Sequence, residues 1–140
     1  MIKIIFVDFR NLMSGILSLG ASDRLVKLIG AVYWFTVEFG LIKEEGEMKF
    51  YGAGVASSVN EIKNAMSNDD LRLLRLDIDK PPLDFVVEGI QPFFYYIESF
   101  SSLFDQLNHL RDETKKPFKF NIDPNSLRIE VDRRINLIKQ

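Results

Sequence analysis

Apolar residues recur along the chain with two different periods, and the change of period divides it into elements. Phe6, Phe9, Leu12, Met13, Ile16 and Leu17 return at helical spacing, which predicts an amphipathic helix over residues 8–19 ending near Gly20. Ser22 then stands where an N-cap belongs, with Asp23 in the first turn. The helix it opens carries Leu25, Leu28, Ile29, Val32, Tyr33, Phe35, Thr36, Phe39 and Leu41, apolar on nearly all sides, so a buried central helix is expected. Residues 44–47 read as a polar turn and 48–51 as a short strand. Ser57 or Ser58 caps the next helix, predicted to run through Met66, and Glu61 stands at capping-box spacing from Ser58.

Residues 74–79 (LRLDID) alternate apolar with charged positions, a strand pattern that Pro81 and Pro82 end. Residues 91–98 (QPFFYYIE) form an aromatic-rich strand. Ser99 or Ser101 caps a further helix with Phe104, Leu107 and Leu110 as its buried stripe. Residues 117–122 and 127–131 flank Asp123-Pro124-Asn125-Ser126 and predict a β-hairpin, after which 132–140 could open another helix. No repeat, low-complexity stretch or linker divides the chain. The expected architecture is therefore a single α+β unit over residues 1–140, mainly helical, with short strands and a C-terminal hairpin.

With 140 residues, 46% of them apolar and 27% charged, the chain has the composition of a folded domain. A net charge of −2 argues against a nucleic-acid binder, because each Lys/Arg cluster is offset by neighbouring acids. Zero cysteines exclude disulfides, thiolate catalysis and Cys-based metal sites, and fit a reducing cytoplasmic setting. One histidine excludes any metal site needing two His from this chain. The N-terminal apolar run is too short for a signal peptide, and residues 28–37 fall short of the roughly 20 needed to span a bilayer, so a soluble protein is expected.

Four features could carry chemistry. Glu38 lies inside an apolar helix, where a carboxylate is paired with a cation, bound to a metal, or turned to the helix surface. Residues 51–61 (YGAGVASSVNE) combine two glycines, which let a backbone approach a ligand closely, with two serines at a helix start. That suits a carboxylate or phosphate, or forms only a turn and a capped helix. Phe93, Phe94, Tyr95 and Tyr96 line a flat pocket or simply fill the core. Asp77 and Asp79, with Arg72, Arg75 and Lys80 nearby, read as surface ion pairs, and His109 as a solvent-edge residue.

The order and wording of four segments add to this. Residues 32–41 read VYWFTVEFGL, 50–62 FYGAGVASSVNEI, 91–100 QPFFYYIESF and 117–131 PFKFNIDPNSLRIEV. Over residues 6–131 the series resembles the second half of the catalytic domain of the biopterin-dependent aromatic amino acid hydroxylases. The resemblance implies ring hydroxylation of an aromatic amino acid with O₂, Fe(II) and tetrahydrobiopterin, the metal and cofactor supplying the hard chemistry.

By the same resemblance Glu38 matches the carboxylate ligand of the iron. Trp34 and Phe39 match residues around the substrate ring, and Gly54, Ser57 and Ser58 match the loop and helix start that meet the amino acid. Glu61 matches a carboxylate behind them. Tyr33 and Tyr95 match residues beside the pterin, and Gly30 stands where the family usually has Ala there. Trp34 in its YWFTVEFG setting resembles the phenylalanine and tyrosine enzymes more than the tryptophan enzymes, and phenylalanine is the favoured substrate.

The family's two iron-binding histidines, in a His-Glu-x-x-Gly-His stretch, are not in this sequence. The expectation is a C-terminal portion of the catalytic domain, as a split or truncated product or a piece of a longer chain. It is expected to be inactive alone and to expose Trp34 and Phe39, with self-association through that half-pocket or the hairpin. The competing expectation is a non-catalytic interaction or oligomerisation fragment derived from the same fold.

Overall fold

In the computed structural model, residues 21–67, 70–80, 84–113, 120–122 and 129–132 are described. The predicted helices over 8–19 and 132–140 and the hairpin's turn lie outside that set. Ser22 caps helix α1 (Asp23–Tyr33) as its sequence position requires, its Oγ accepting from the Leu25 N–H at 3.3 Å. The helix does not continue to Leu41. It widens into a π-helical turn, Trp34–Glu38, closed by the Phe39 N–H donating to the Trp34 carbonyl at 2.8 Å. Thr36 contributes to the widening, since its hydroxyl donates back to the Val32 carbonyl at 2.5 Å. The helix is also less enclosed than its apolar run suggests, with Val26 and Gly30 exposed.

Gly40 ends the helical segment, and Leu41, expected to finish the helix, begins a strand instead. Strand β1 (Leu41–Glu44) turns through Glu45 and Gly46, at φ 54° and 85°, into antiparallel β2 (Glu47–Phe50). The short helix α2 (Ala53–Ser57) and helix α3 (Val59–Ser67) follow. Strand β3 covers Arg72–Arg75, earlier than the predicted 74–79, because Leu76 and Ile78 leave the strand to plug the core. Strand β4 (Phe93–Ile97) and helix α4 (Phe100–Glu113) complete the main body. Ser99 caps α4, its Oγ accepting from the Ser102 N–H at 3.1 Å. The predicted hairpin is present as β5 (Phe120–Ile122) paired antiparallel with β6 (Ile129–Val131).

The four longer strands form one mixed sheet in the order β2-β1-β4-β3, with β4 parallel to both β1 and β3. Strand β4 is covered on both faces. Tyr95 and Ile97 meet Ile29, Val32, Phe35, Leu103 and Leu107 on the α1/α4 side. Phe94 meets Leu41 and Val55 on the α2/α3 side. Period-2 alternation on β4 thus feeds two cores from one strand. The aromatic strand is core, and the flat pocket suggested for it is not formed by these rings alone. Leu103, with no place in the predicted stripe of α4, is fully buried beside Leu107. Among the described residues no helix is long and apolar enough to cross a membrane.

Two glycines bring the π-helical turn against the segment after β2. The Tyr51 and Gly52 N–H groups both donate to the Gly40 carbonyl at 3.1 Å. A Cβ on Gly40 would collide with the Thr36 carbonyl and the Tyr51 ring, and one on Gly52 with the Glu38 carbonyl and the Gly40 nitrogen. The Gly52 backbone, at φ −65° and ψ 138°, suits any residue, so it is proximity that excludes a side chain there.

Two substitutions test these local arguments by urea unfolding. Gly52→Ala is expected to cost about 1–3 kcal/mol, because only backbone lies where its methyl would go. Glu45→Asn is expected to stabilise by several tenths to about 1 kcal/mol, since Asn tolerates the left-handed conformation that Glu45 is forced to adopt.

Candidate active site

Glu38 closes the π-helical turn with its side chain half-buried, and among the described residues it makes no ion pair and no side-chain hydrogen bond. Trp34, at the start of the same turn, and Phe39, just after it, lie with ring centroids 4.8 Å apart. Both are half-buried, less open than expected. The exposed apolar groups are elsewhere, chiefly Val59, Met66 and the run Phe85, Val86, Val87 and Ile90.

Gly54 brings α2 under this turn. A Cβ there would stand 2.9 Å from the Phe39 ring and 3.0 Å from the Glu38 carbonyl. The glycines of YGAG therefore serve a close approach, as read from the sequence, and what they approach is the backbone of the Glu38 turn. Ser57 donates its hydroxyl to the Gly54 carbonyl at 3.0 Å, which leaves its oxygen able to accept. Ser58 is the cap of α3, its Oγ accepting from the Glu61 N–H at 3.3 Å, which leaves its O–H able to donate. The returning half of the capping box does not form. The Ser58 N–H donates instead to the Val55 carbonyl at 3.2 Å, and the Glu61 carboxylate turns away.

Glu61 is 5% exposed, and its Oε1 accepts from the Gln91 N–H at 3.0 Å. Its Oε2 is buried and accepts no hydrogen bond among the described residues. Gln91 in turn accepts from the Trp34 indole Nε1–H at 3.2 Å. Sequence reasoning missed Gln91 and also Phe85, whose ring stacks on Trp34 at 4.9 Å and 19°. The available signal was a polar residue placed just before Pro92 at the mouth of an otherwise apolar strand.

The residues matched to the pterin come from two elements, α1 and β4. Gly30 is exposed on α1 with nothing within 4 Å of its missing Cβ, and Tyr33 is half-buried at the end of α1. Tyr95 is buried, packed on Phe35 at 4.7 Å. Tyr51, behind Gly40, keeps its proton well above the usual phenol range because burial disfavours the phenolate. Asp77 pairs with Lys80 at 3.4 Å and Arg75 with Glu98 at 3.0 Å, both on the surface. His109 is exposed on α4. No group of three or more His, Asp or Glu among the described residues could hold a metal ion.

With this geometry in hand, comparison with known proteins identifies the fold and family. The chain matches the profile of the biopterin-dependent aromatic amino acid hydroxylases over residues 3–140. It is 35% identical to a phenylalanine-4-hydroxylase of Dictyostelium discoideum over 136 residues, covering 94% of this chain and 31% of that protein. It is 39% identical to the tyrosine 3-monooxygenase of Mus musculus over 118 residues, covering 84% of this chain and 24% of that protein. The iron- and phenylalanine-bound phenylalanine hydroxylase of Chromobacterium violaceum superposes with a TM-score of 0.63 at 26% identity, over 78% of this chain and 42% of that one. The chain thus spans less than a third of the length of these curated relatives. The chain belongs to the biopterin-dependent aromatic amino acid hydroxylase family, of whose catalytic domain it forms a part.

Proposed function

We propose that this chain is the C-terminal portion of the catalytic domain of an Fe(II)- and tetrahydrobiopterin-dependent aromatic amino acid monooxygenase, with phenylalanine as the favoured substrate. The observation that carries the reading is the Glu38 carboxylate. It belongs to a half-buried residue on a π-helical turn that opens with Trp34 and is followed by Phe39, with no cation paired to it among the described residues. Leaving a carboxylate in such a place costs stability, and a metal ligand has reason to be there.

The residues of this chain do not complete an iron site. The sequence has one His, and it sits exposed on α4. Glu38 is assigned as one ligand of a facial set whose two His come from outside these 140 residues, so the chain alone is expected to be inactive. When bound, the iron and the reduced pterin supply the activation of O₂.

The chain's own contribution is orientation and exclusion of water. Trp34 and Phe39 hold the substrate ring beside Glu38. Ser57, through its free lone pairs, and Ser58, through its free O–H, meet the polar end of the amino acid, with Gly54 allowing the approach. Glu61 supports that end from behind, anchored through Gln91. Gly30, Tyr33 and Tyr95 are assigned to the pterin side.

Calorimetric titration of Fe(II) under anaerobic conditions tests the assignment. The chain alone is expected to show no Glu38-dependent binding. Joined to the upstream catalytic segment of the Dictyostelium relative, it is expected to bind Fe(II) tightly. Glu38→Ala should then weaken binding by more than the roughly 10- to 100-fold that loss of a supporting residue costs. Equal affinity of wild type and Glu38→Ala in the joined protein would overturn the assignment.

A further inference from the structure

Gln91 is 2% exposed, and each of its polar groups is used. Its side-chain Oε1 accepts from the Trp34 indole N–H at 3.2 Å, and its Nε2 donates to the Val86 carbonyl at 2.7 Å. Its main-chain N–H donates to Glu61 Oε1 at 3.0 Å, and its carbonyl accepts from Asn64 Nδ2 at 2.7 Å. These bonds reach three separate parts of the molecule: the π-helical turn, the segment 84–90 and helix α3. The amide has one possible orientation, because flipping it would set N–H against N–H and oxygen against carbonyl.

The segment that Gln91 tethers is exposed along its length. Phe85, Val86, Val87 and Ile90 are all exposed, and Phe85 reaches inward only to stack on Trp34 and to meet Phe35 edge-on. Trp34 therefore has Phe39 and Phe85 as ring neighbours, 4.8 and 4.9 Å away, while a single side chain fixes its N–H. Removing that acceptor would leave a half-buried indole donor without its partner and release the Val86 tether together.

We infer that Gln91 is a positioning residue, which sets the rotation of Trp34 and the seat of the 84–90 segment and thereby the arrangement of the Trp34, Phe39 and Phe85 rings against which the substrate ring is selected. This rests on the functional reading above for what these rings hold. The tether itself stands on the hydrogen bonds alone. Hydrogen bonds to a rotatable indole and to a loop carbonyl from one buried amide make the arrangement of these rings depend on residue 91, although that residue is itself buried.

The chain has one tryptophan, so spectroscopy reads Trp34 without ambiguity. In ¹⁵N-labelled protein the single indole N–H resonance is expected to move upfield in Gln91→Met, and its exchange with solvent to speed up. Acrylamide is expected to quench the fluorescence of that variant more strongly. Gln91→Glu keeps an oxygen for the indole but has no donor for Val86, so its resonance should stay near the wild-type position while quenching still rises. An unmoved resonance with unchanged quenching in a folded Gln91→Met would overturn the inference. If that variant does not fold, Phe85→Ala decides. Raised quenching with an unmoved resonance supports the tethered ring arrangement, and unchanged quenching overturns it.

In the joined, hydroxylating protein, Gln91→Met is expected to shift the phenylalanine-to-tyrosine ratio of kcat/KM by at least about threefold, through KM more than kcat. An unchanged ratio would overturn the selective role. A joined wild-type protein that hydroxylates neither amino acid would overturn the functional reading and the selective role with it. The indole result would still decide the tether.

Discussion

The contact on which the site depends is between two stretches of backbone. The Glu38 carbonyl and the Gly40 nitrogen lie so close to Gly52 that no side chain can come between them. The Gly40 carbonyl meanwhile takes hydrogen bonds from both Tyr51 and Gly52. A helix that widens into a π-turn gives up regular i to i−4 bonding, which is costly unless the surroundings hold it. Here the return of the chain through the β1–β2 hairpin supplies that hold. The hairpin has two residues in its turn, so the distance between Gly40 and Gly52 is fixed by the register that pairs Leu41 with Phe50. Position of the carboxylate thus follows from strand pairing, and no partner for the carboxylate itself is needed.

A second constraint is polar. The Glu61–Gln91–Trp34 chain of buried hydrogen bonds spans three parts of the molecule. It joins the start of α3, where Ser57 and Ser58 lie, to the turn that carries Glu38. The serine end and the carboxylate end of the site are therefore joined through buried hydrogen bonds. That link explains why Glu61, placed at capping-box spacing, spends its carboxylate elsewhere.

Local chemistry in the sequence was legible where a short-range bond decides the structure. Ser22, Ser58 and Ser99 each cap the helix that their positions announce, because N-capping is settled within four residues. The C-terminal hairpin was legible for the same reason. The end of α1 was not, because Leu41 and Ile42 continue its apolar run and strand pairing with β4 decides their fate. Strand β3 was shifted because alternation alone cannot tell Leu76 in a strand from Leu76 plugging a core. At the site, the residue types that carry chemistry stood out, Glu38 among them. Gln91 and Phe85 did not, since their importance comes from partners up to 57 positions away.

If the Glu38 turn is held by its backbone seat before any metal arrives, its amides must be protected in the metal-free chain. Hydrogen exchange followed residue by residue reads this directly at Phe39, Gly40 and Gly52, whose N–H groups close the turn and its seat. The expected result is exchange as slow as that of the buried core strand β4, reached only through global unfolding. Fast exchange at those three amides, with β4 still protected, would contradict a preformed seat and make the turn a product of ligand binding.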